Sequence, residues 1–234
     1  MSEMRVLGAA VVGPAEGEAA KARATAFKRE TRQRYLDSSV EAGLEALHAA
    51  MHGDADPGLA QAAAAGRIGL LLATALGPQA SRGDYLRSYG QRGEKSASAT
   101  LFTNCGYNIA GAMLARSQNI RGPVLTFGAD DGWDRKLLDV ARRLLVAARA
   151  EIVYAGRIEP GAAAIVGLAL GRGDITVSWR LSSGENRAAG HEYRIETGDE
   201  PDGEARRPAG AEDMVRRIAA LRCRPRVAAP ILST

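Results

Sequence analysis

A nearly continuous apolar stretch over residues 67–75 constrains the fold of this chain more than any other feature. It reads Arg-Ile-Gly-Leu-Leu-Leu-Ala-Thr-Ala, and Gly77-Pro78 ends it. A strand that faces water on one side alternates apolar and polar residues, whereas a strand covered by helices on both faces is apolar throughout. The stretch therefore predicts a buried strand of a parallel sheet and, with it, an α/β fold.

Five further segments are predicted to be strands, and helices alternate with most of them. The strands are expected over residues 4–12, 123–127, 152–155, 162–170 and 174–181. Residues 171–174 (Gly-Arg-Gly-Asp) join the last two strands and predict a hairpin turn. The plan is an α/β arrangement that ends in an antiparallel pair of strands.

The helices are predicted from apolar residues at three- and four-residue spacing. Amphipathic helices are expected over 31–51 and 133–150, an Ala- and Gly-rich helix over 104–118, and shorter helices over 84–92 and 213–221. Residues 15–28 predict a loop or a short helix, and residues 53–58 predict a turn. Gly, Glu, Arg and Pro dominate residues 182–210, which predicts a loop or a partly disordered segment.

Composition and charge exclude several classes of function. Apolar residues make up 46% of the 234 residues and aromatic residues only 5%, so the core is built from Ala, Val, Ile and Leu. The net charge is +4 and most of the positive charge is arginine, which fits either a solvated surface or a basic face for an acidic partner. No run of Lys or Arg exceeds a pair, and no aromatic residues interleave with them, so a dedicated nucleic-acid binder is not expected.

The cysteines and histidines do not form a recognisable metal or cofactor motif. Cys105 and Cys223 are not part of a CxxC pair or a Cys/His cluster. His48 and His52 lie on or just after the predicted helix, and their four-residue spacing is compatible with one shared face. No third ligand or carboxylate motif accompanies them, so neither a metal nor a cofactor is expected. No signal peptide or membrane-spanning stretch is evident, which predicts a soluble cytoplasmic protein that does not enter a membrane.

Residues 122–158 read Gly-Pro-Val-Leu-Thr-Phe-Gly-Ala-Asp-Asp-Gly-Trp, then an amphipathic helix, then Ala-Glu-Ile-Val-Tyr-Ala-Gly-Arg-Ile. This segment resembles the β-ketoacyl synthases. Residues 4–13, 67–77 and 108–123 are similar to other segments of that family, in the same order, so the resemblance covers about residues 4–170. It implies a thiolase-like half-domain over residues 1–181, with a mixed five-stranded sheet covered by helices, followed by a polar loop and tail over 182–234.

The nucleophile of the family is absent. Condensing members carry a cysteine nine residues after the glycine of Gly-Pro, and this chain has Asp131 there. A thiolate at a strand-to-helix turn attacks the acyl thioester, whereas a carboxylate is a weak nucleophile that would form a labile anhydride. Asp131 is instead expected to cap the helix that starts near Trp133, and none of the three histidines matches the two that the family's second half supplies. The resemblance thus implies a non-condensing protein.

Non-condensing members called chain-length factors pair with an active ketosynthase. By that resemblance, the segment before the Asn108 helix lines a tunnel or an interface, with ordinary core packing as the alternative, and residues 124–127 pair across a two-fold axis. Phe102 and Tyr107 would then set the depth of the tunnel. The expected partner is a ketosynthase subunit or a second copy, and an acyl carrier protein is possible. The residues that carry this expectation are Leu101, Phe102, Asn104, Cys105 and Tyr107.

Two questions remain open from the sequence: the role of Cys105 and the function of the whole chain. Cys105, at the start of a predicted helix, is either a relocated nucleophile or a small residue filling a tight space. The chain is either an accessory subunit of polyketide or fatty-acid-type biosynthesis or a thiolase-fold enzyme with altered acyl-thioester chemistry, such as a decarboxylase or hydrolase. A third interpretation is a basic module whose contacts come from arginines near the end of the chain: Arg206, Arg207, Arg216, Arg217, Arg222, Arg224 and Arg226.

Overall fold

A computed structural model describes residues 3–13, 16–32, 35–53, 57–93, 98–130, 132–181 and 191–197. These residues form seven strands and seven helices. The strands are β1 (Met4–Val12), β2 (Ile68–Thr74), β3 (Val124–Gly128), β4 (Ile152–Glu159), β5 (Ala162–Leu170), β6 (Ile175–Leu181) and β7 (His191–Thr197). The helices are α1 (Gly17–Thr31), α2 (Ser38–His52), α3 (Pro57–Ala64), α4 (Gln79–Arg92), α5 (Ala99–Thr103), α6 (Ile109–Ser117) and α7 (Trp133–Val146).

The strands form one mixed sheet in the order β3-β2-β4-β5-β1-β6-β7. β3, β2 and β4 run parallel, and every other neighbouring pair is antiparallel. β2 pairs with β3 and with β4, and all seven of its residues are buried, as the apolar stretch predicts. The α/β fold class with a mixed, helix-covered sheet is therefore confirmed.

The strand count of five is too low, because the described sheet has seven strands. β7 lies inside the segment predicted to be a loop, and it pairs with β6 in the register Val177↔Ile195. Tyr193 and Ile195 alternate with polar residues there, which is the pattern of a strand with one covered face. The division of the chain after residue 181 stays a prediction, although hydrogen bonds between β6 and β7 cross it.

The hairpin predicted at residues 171–174 is also wrong. β1 lies between β5 and β6 and is antiparallel to both, so β5 and β6 run parallel to each other. A hairpin needs adjacent antiparallel strands, and these two strands are neither. The connecting residues instead pass the start of β1, where the Gly171 amide donates to the carbonyl oxygen of Glu3 at 2.9 Å.

Helices cover both faces of the sheet and divide the core into two clusters. On one face, α1, α2, α3 and α6 bury a cluster that includes Leu44, Leu47 and Leu114. On the other face, α7 buries Leu137 and Leu138 against strand residues. The described helices include none that is long and apolar enough to cross a membrane.

Several predicted helix boundaries are corrected by capping and backbone geometry. The helix predicted over 31–51 begins only at Ser38, because α1 ends at Thr31 with Arg32 in a left-handed conformation and Asp37 accepts from the Ser39 amide. α1 occupies most of the segment predicted as a loop or short helix. α3 starts within the predicted turn, and α4 begins five residues before its predicted start. α7 ends at Val146 because Ala148 has a φ of 52°.

Candidate functional site

The carboxyl ends of the three parallel strands β2, β3 and β4 meet at one edge of the sheet. In α/β folds, this is the edge where ligands usually bind, because loops there are free to vary while the strands hold them in place. Residues 75–77 follow β2, the described residues 129, 130 and 132 follow β3, and Arg157 and Glu159 lie at the end of β4. We call this set of residues the carboxyl-edge site.

Glu159 holds the turn after β2 in place. Its carboxylate accepts from the backbone amides of Ala75 at 2.7 Å and Leu76 at 3.3 Å, and from the Thr74 hydroxyl at 3.4 Å. The Gly77 amide in turn donates to the Thr74 hydroxyl at 2.9 Å. Successive amides that point at one carboxylate form an anion cradle, and here the chain supplies the anion itself.

Arg157 connects this cradle to the start of α7. Its Nε donates to Glu159 Oε1 at 3.0 Å, and its guanidinium carbon lies 5.7 Å from the centroid of the Trp133 ring. The Trp133 ring is buried, and its Nε1 has no hydrogen-bond partner among the described residues. The side chains of β4 and α7 therefore pack together next to the turn that follows β3.

Two aspartates, one in the turn after β3 and one in the first turn of α7, lie in opposite environments. Asp130 is exposed, and its hydrogen bond from Lys136 at 2.7 Å lowers the pKa of its carboxyl group. Asp134 is only 2% exposed, and burial raises the pKa of its carboxyl group even though its Oδ1 accepts from the Arg135 amide. Asp131 lies outside the described residues, and Gly132 occupies the N-cap position of α7 with a φ of 75°.

Residues 101–107 reach the carboxyl-edge site through Tyr107. The φ of Gly77 is 62°, and carbons of the Tyr107 ring lie 3.0 Å from the point where a side chain on Gly77 would begin. Asn104 is buried and its Nδ2 has no partner among the described residues, whereas Leu101 and Cys105 are half-buried. Of the five predicted site residues, Tyr107 thus packs against the turn after β2.

Phe102 instead contributes to a separate aromatic patch, which sequence reasoning missed. Its ring is 64% exposed and lies 5.7 Å from Tyr85, which stacks at 6.4 Å with Tyr89 one turn further along α4. Leu86, also on α4, is 65% exposed. The four-residue spacing of Tyr85 and Tyr89 was visible in the sequence, but the position of Phe102 beside them depends on the packing of α5 against α4.

The sequence predicts that Cys105 lies at the start of a helix, and this prediction is wrong. It lies in the turn after α5, and α6 begins four residues later. Its thiol donates to the Leu101 carbonyl at 3.1 Å, and burial raises the pKa of the thiol. These features disfavour a thiolate and fit the interpretation of a small residue in a confined space.

A metal-binding cluster is likewise not evident at this edge. Across the parts of the chain that the structure describes, no group of three or more His, Cys, Asp or Glu side chains could hold a metal ion.

The buried Asp37 joins two helices, because its carboxylate caps α2 and also accepts from the Ser81 amide in α4 at 3.0 Å. That role is structural, since both of its oxygens are occupied by hydrogen bonds from the chain.

β3 is the strand at one border of the sheet. Among the strands of the described ranges it pairs with β2 alone, and none of its five residues is fully buried. The Leu70 amide donates to the carbonyl of Pro123 at 2.8 Å, so odd-numbered residues turn their backbone groups toward β2 and Thr126 turns its own away. Leu125 is 42% exposed on the face that carries α7.

Comparison with solved structures identifies the fold. No protein-family model and no curated protein matches this chain. The ishigamide ketosynthase/chain length factor is similar in structure, with a TM-score of 0.51 and 14% identity over 77% of this chain and 68% of that one. A type II PKS ketosynthase in complex with its acyl-carrier protein and bound to the hexaketide gives a TM-score of 0.54 and 13% identity over 77% and 70%. This chain therefore has the thiolase-like fold of the ketosynthases and chain-length factors.

Proposed function

We propose that this chain is a non-condensing, chain-length-factor-like subunit that pairs with an active ketosynthase through β3. The observation that carries the proposal is the outer edge of β3, whose outward backbone groups have no partner strand among the described residues and which presents the exposed Leu125 at the border of a ketosynthase-like sheet. An open strand edge is a template for another strand, and natural proteins usually cover or disrupt such edges. The pairing partner is a ketosynthase whose corresponding strand is also at an edge.

The absence of a suitable nucleophile supports an accessory role. Asp131 stands where the condensing members carry their cysteine. The half-buried Cys105 cannot replace it readily, because its thiol has a raised pKa and donates to a backbone carbonyl. A subunit without a reactive thiolate can still shape the site of its partner.

Residues 101–107 are proposed to contribute to that shape. Tyr107 packs on Gly77 at the carboxyl edge, and the exposed Phe102 ring stands on the same segment. Bulky rings on a segment that a partner covers would limit the space available to an acyl chain. In this proposal, Leu101, Asn104 and Cys105 support the two rings from within the segment. An acyl carrier protein would deliver the acyl groups to the partner.

The test is co-purification with a ketosynthase from the same genome, using paired variants of β3. Proline is tolerated on edge strands when its missing amide faces outward, so Thr126→Pro removes an outward amide and keeps the ladder to β2. Thr126→Val is the matched control, since it keeps the amide. A second pair is Leu125→Asp with Leu170→Asp, because the two leucines are 42% and 43% exposed but only Leu125 lies on β3.

We expect the unmodified chain to elute with a ketosynthase in a 1:1 complex, and both controls to behave in the same way. Thr126→Pro and Leu125→Asp should lower the affinity for the partner at least tenfold. If every variant binds equally well, the β3 edge is not the interface. If no ketosynthase binds, the accessory role fails, and turnover of acyl thioesters by the isolated chain becomes the next measurement.

A further inference from the structure

Two histidines pack against each other on α2, on the face of the sheet opposite α7. The ring centroids of His48 and His52 are 4.5 Å apart, with an interplanar angle of 46°. The two residues are one helical turn apart, so the helix itself sets their distance. Because neighbouring residues of α2 are buried in the core, the backbone that carries the pair is held rigidly.

The ring of His52 is oriented by Gln118, the residue directly after α6. His52 Nε2 lies 3.2 Å from Gln118 Oε1. When the amide oxygen accepts this hydrogen bond, Nε2 carries the proton and Nδ1 presents its lone pair. Metal-binding histidines are commonly oriented in this way, by an acceptor on the ring nitrogen that does not bind the metal.

The ring of His48 is half-buried, and Arg23 lies near it. The positive charge of Arg23 is offset by its ion pair with Glu45, which lies on the same side of α2. The charges of Arg23 and Glu45 beside the two histidines therefore cancel.

We propose that His48 and His52 chelate a divalent transition-metal ion, with Cu²⁺ bound more tightly than Zn²⁺. Two histidines four residues apart on one helix face have the spacing of the zinc-binding HExxH helix. His52 differs from that helix in its ligand atom, which here is Nδ1 because Nε2 faces Gln118. Imidazole suits both ions, and the general order of divalent affinities places Cu²⁺ above Zn²⁺. With two protein ligands, water completes the coordination, so the site binds more weakly than one with three or four side chains.

The test is a titration of the full, untagged chain with Cu²⁺, followed by calorimetry and electron paramagnetic resonance. We expect one site whose spectrum shows two equatorial nitrogen ligands. His48→Ala and His52→Ala should each lower the affinity at least tenfold. Gln118→Ala should lower it by about tenfold through the lost orientation of His52. His191→Ala is the control, because it removes the remaining histidine of the chain and should leave the affinity unchanged.

The folding of each variant decides which affinity measurements test the proposal. Circular dichroism shows whether each variant is folded, and His52→Ala is the informative variant if His48→Ala is not, since His52 is exposed. Unchanged affinity in folded His52→Ala would overturn the proposal. So would a spectrum with one nitrogen ligand, a loss of binding in His191→Ala, or tighter binding of Zn²⁺ than of Cu²⁺.

Discussion

Burial of Asp134 makes the stability of this protein depend on pH. Asp134 is 2% exposed, and burial raises the pKa of its carboxyl group above the ordinary value of 3.8. A group whose folded-state pKa is raised contributes stability below its unfolded pKa and loses it as the pH rises through the folded value. Ionised Asp134 is therefore a net cost to the folded state at neutral pH.

Asp134→Asn should raise the free energy of unfolding at pH 7. Asparagine keeps an oxygen acceptor for the Arg135 amide, which the carboxylate binds at 2.8 Å, but carries no charge into the buried space. The gain should shrink as the pH falls through the raised pKa of the folded state, and it should approach zero below 3.8, where the carboxyl group of the wild type is protonated in both states. Urea unfolding at pH 7 and at pH 3.5 measures the difference, and equal differences at both pH values would contradict the explanation.

Individual site residues were predictable where the sequence fixes a local environment and not where packing does. Asp131 could be identified by counting from Gly122. The surroundings of Cys105 could not, because they depend on α5 ending at Thr103 and on α6 starting only at Ile109. The hydrogen bonds of Glu159 were likewise invisible, since they join residues more than 80 positions apart.

At the scale of elements, β1 and α2 approach each other through a glycine. A methyl group on Gly8 would lie 2.2 Å from the carbonyl oxygen of Ala50. The oxygen is a backbone atom and the added carbon is fixed to the backbone, so neither a rotamer change nor a small side-chain shift relieves the contact. The register of β1 against β5 also shifts between Val6 and Ala9, which places Gly8 at an irregularity of the strand.

Gly8→Ala should destabilise the protein by about 1–3 kcal/mol or more, because it overpacks a contact between two backbones. Gly83→Ala is the matched control: no atom lies within 4 Å of its added carbon, and alanine favours a helix over glycine. The control should be neutral or stabilising by up to about 1 kcal/mol. Chemical denaturation of both variants provides the comparison, and a similar loss in both would show that the close approach is not the cause.

Elements with a strong local pattern were predicted well. β2 and β5 and the first residue of α7 match the apolar patterns of the sequence. β7 was missed because its alternation lies in a segment rich in Gly, Glu and Arg, whose composition alone favours a loop. The start of α2 was missed because Asp37 ends the preceding segment through a cap, which periodicity does not detect.

At the scale of the whole molecule, β1 is the connection between two parts of the sheet. It pairs with β5 on one side and with β6 on the other. Sequence patterns identified all three strands but placed β5 and β6 side by side, because local patterns contain no information about a strand from far along the chain. The order of the strands is therefore the part of this fold that could not be predicted from the sequence.

Removal of residues 1–13 should therefore prevent folding, since it separates β6 and β7 from β5. A synthetic peptide of residues 3–13 should restore the sheet when it is added to the shortened chain. Far-ultraviolet circular dichroism and amide exchange measure the recovery, with a scrambled peptide of the same composition as the control. A shortened chain that folds without the peptide would mean that β5 and β6 can close the gap themselves.

The central position of β1 also has a consequence for synthesis on the ribosome. β1 emerges first among the described strands, yet β5 begins about 150 residues after β1 ends. At ordinary rates of translation of about 5–20 residues per second, that interval is about 8–30 s. During this time an apolar strand waits with neither neighbour available. Nascent chains of this protein should therefore be frequent clients of ribosome-associated chaperones, which shield β1 until its pairing strands have been made.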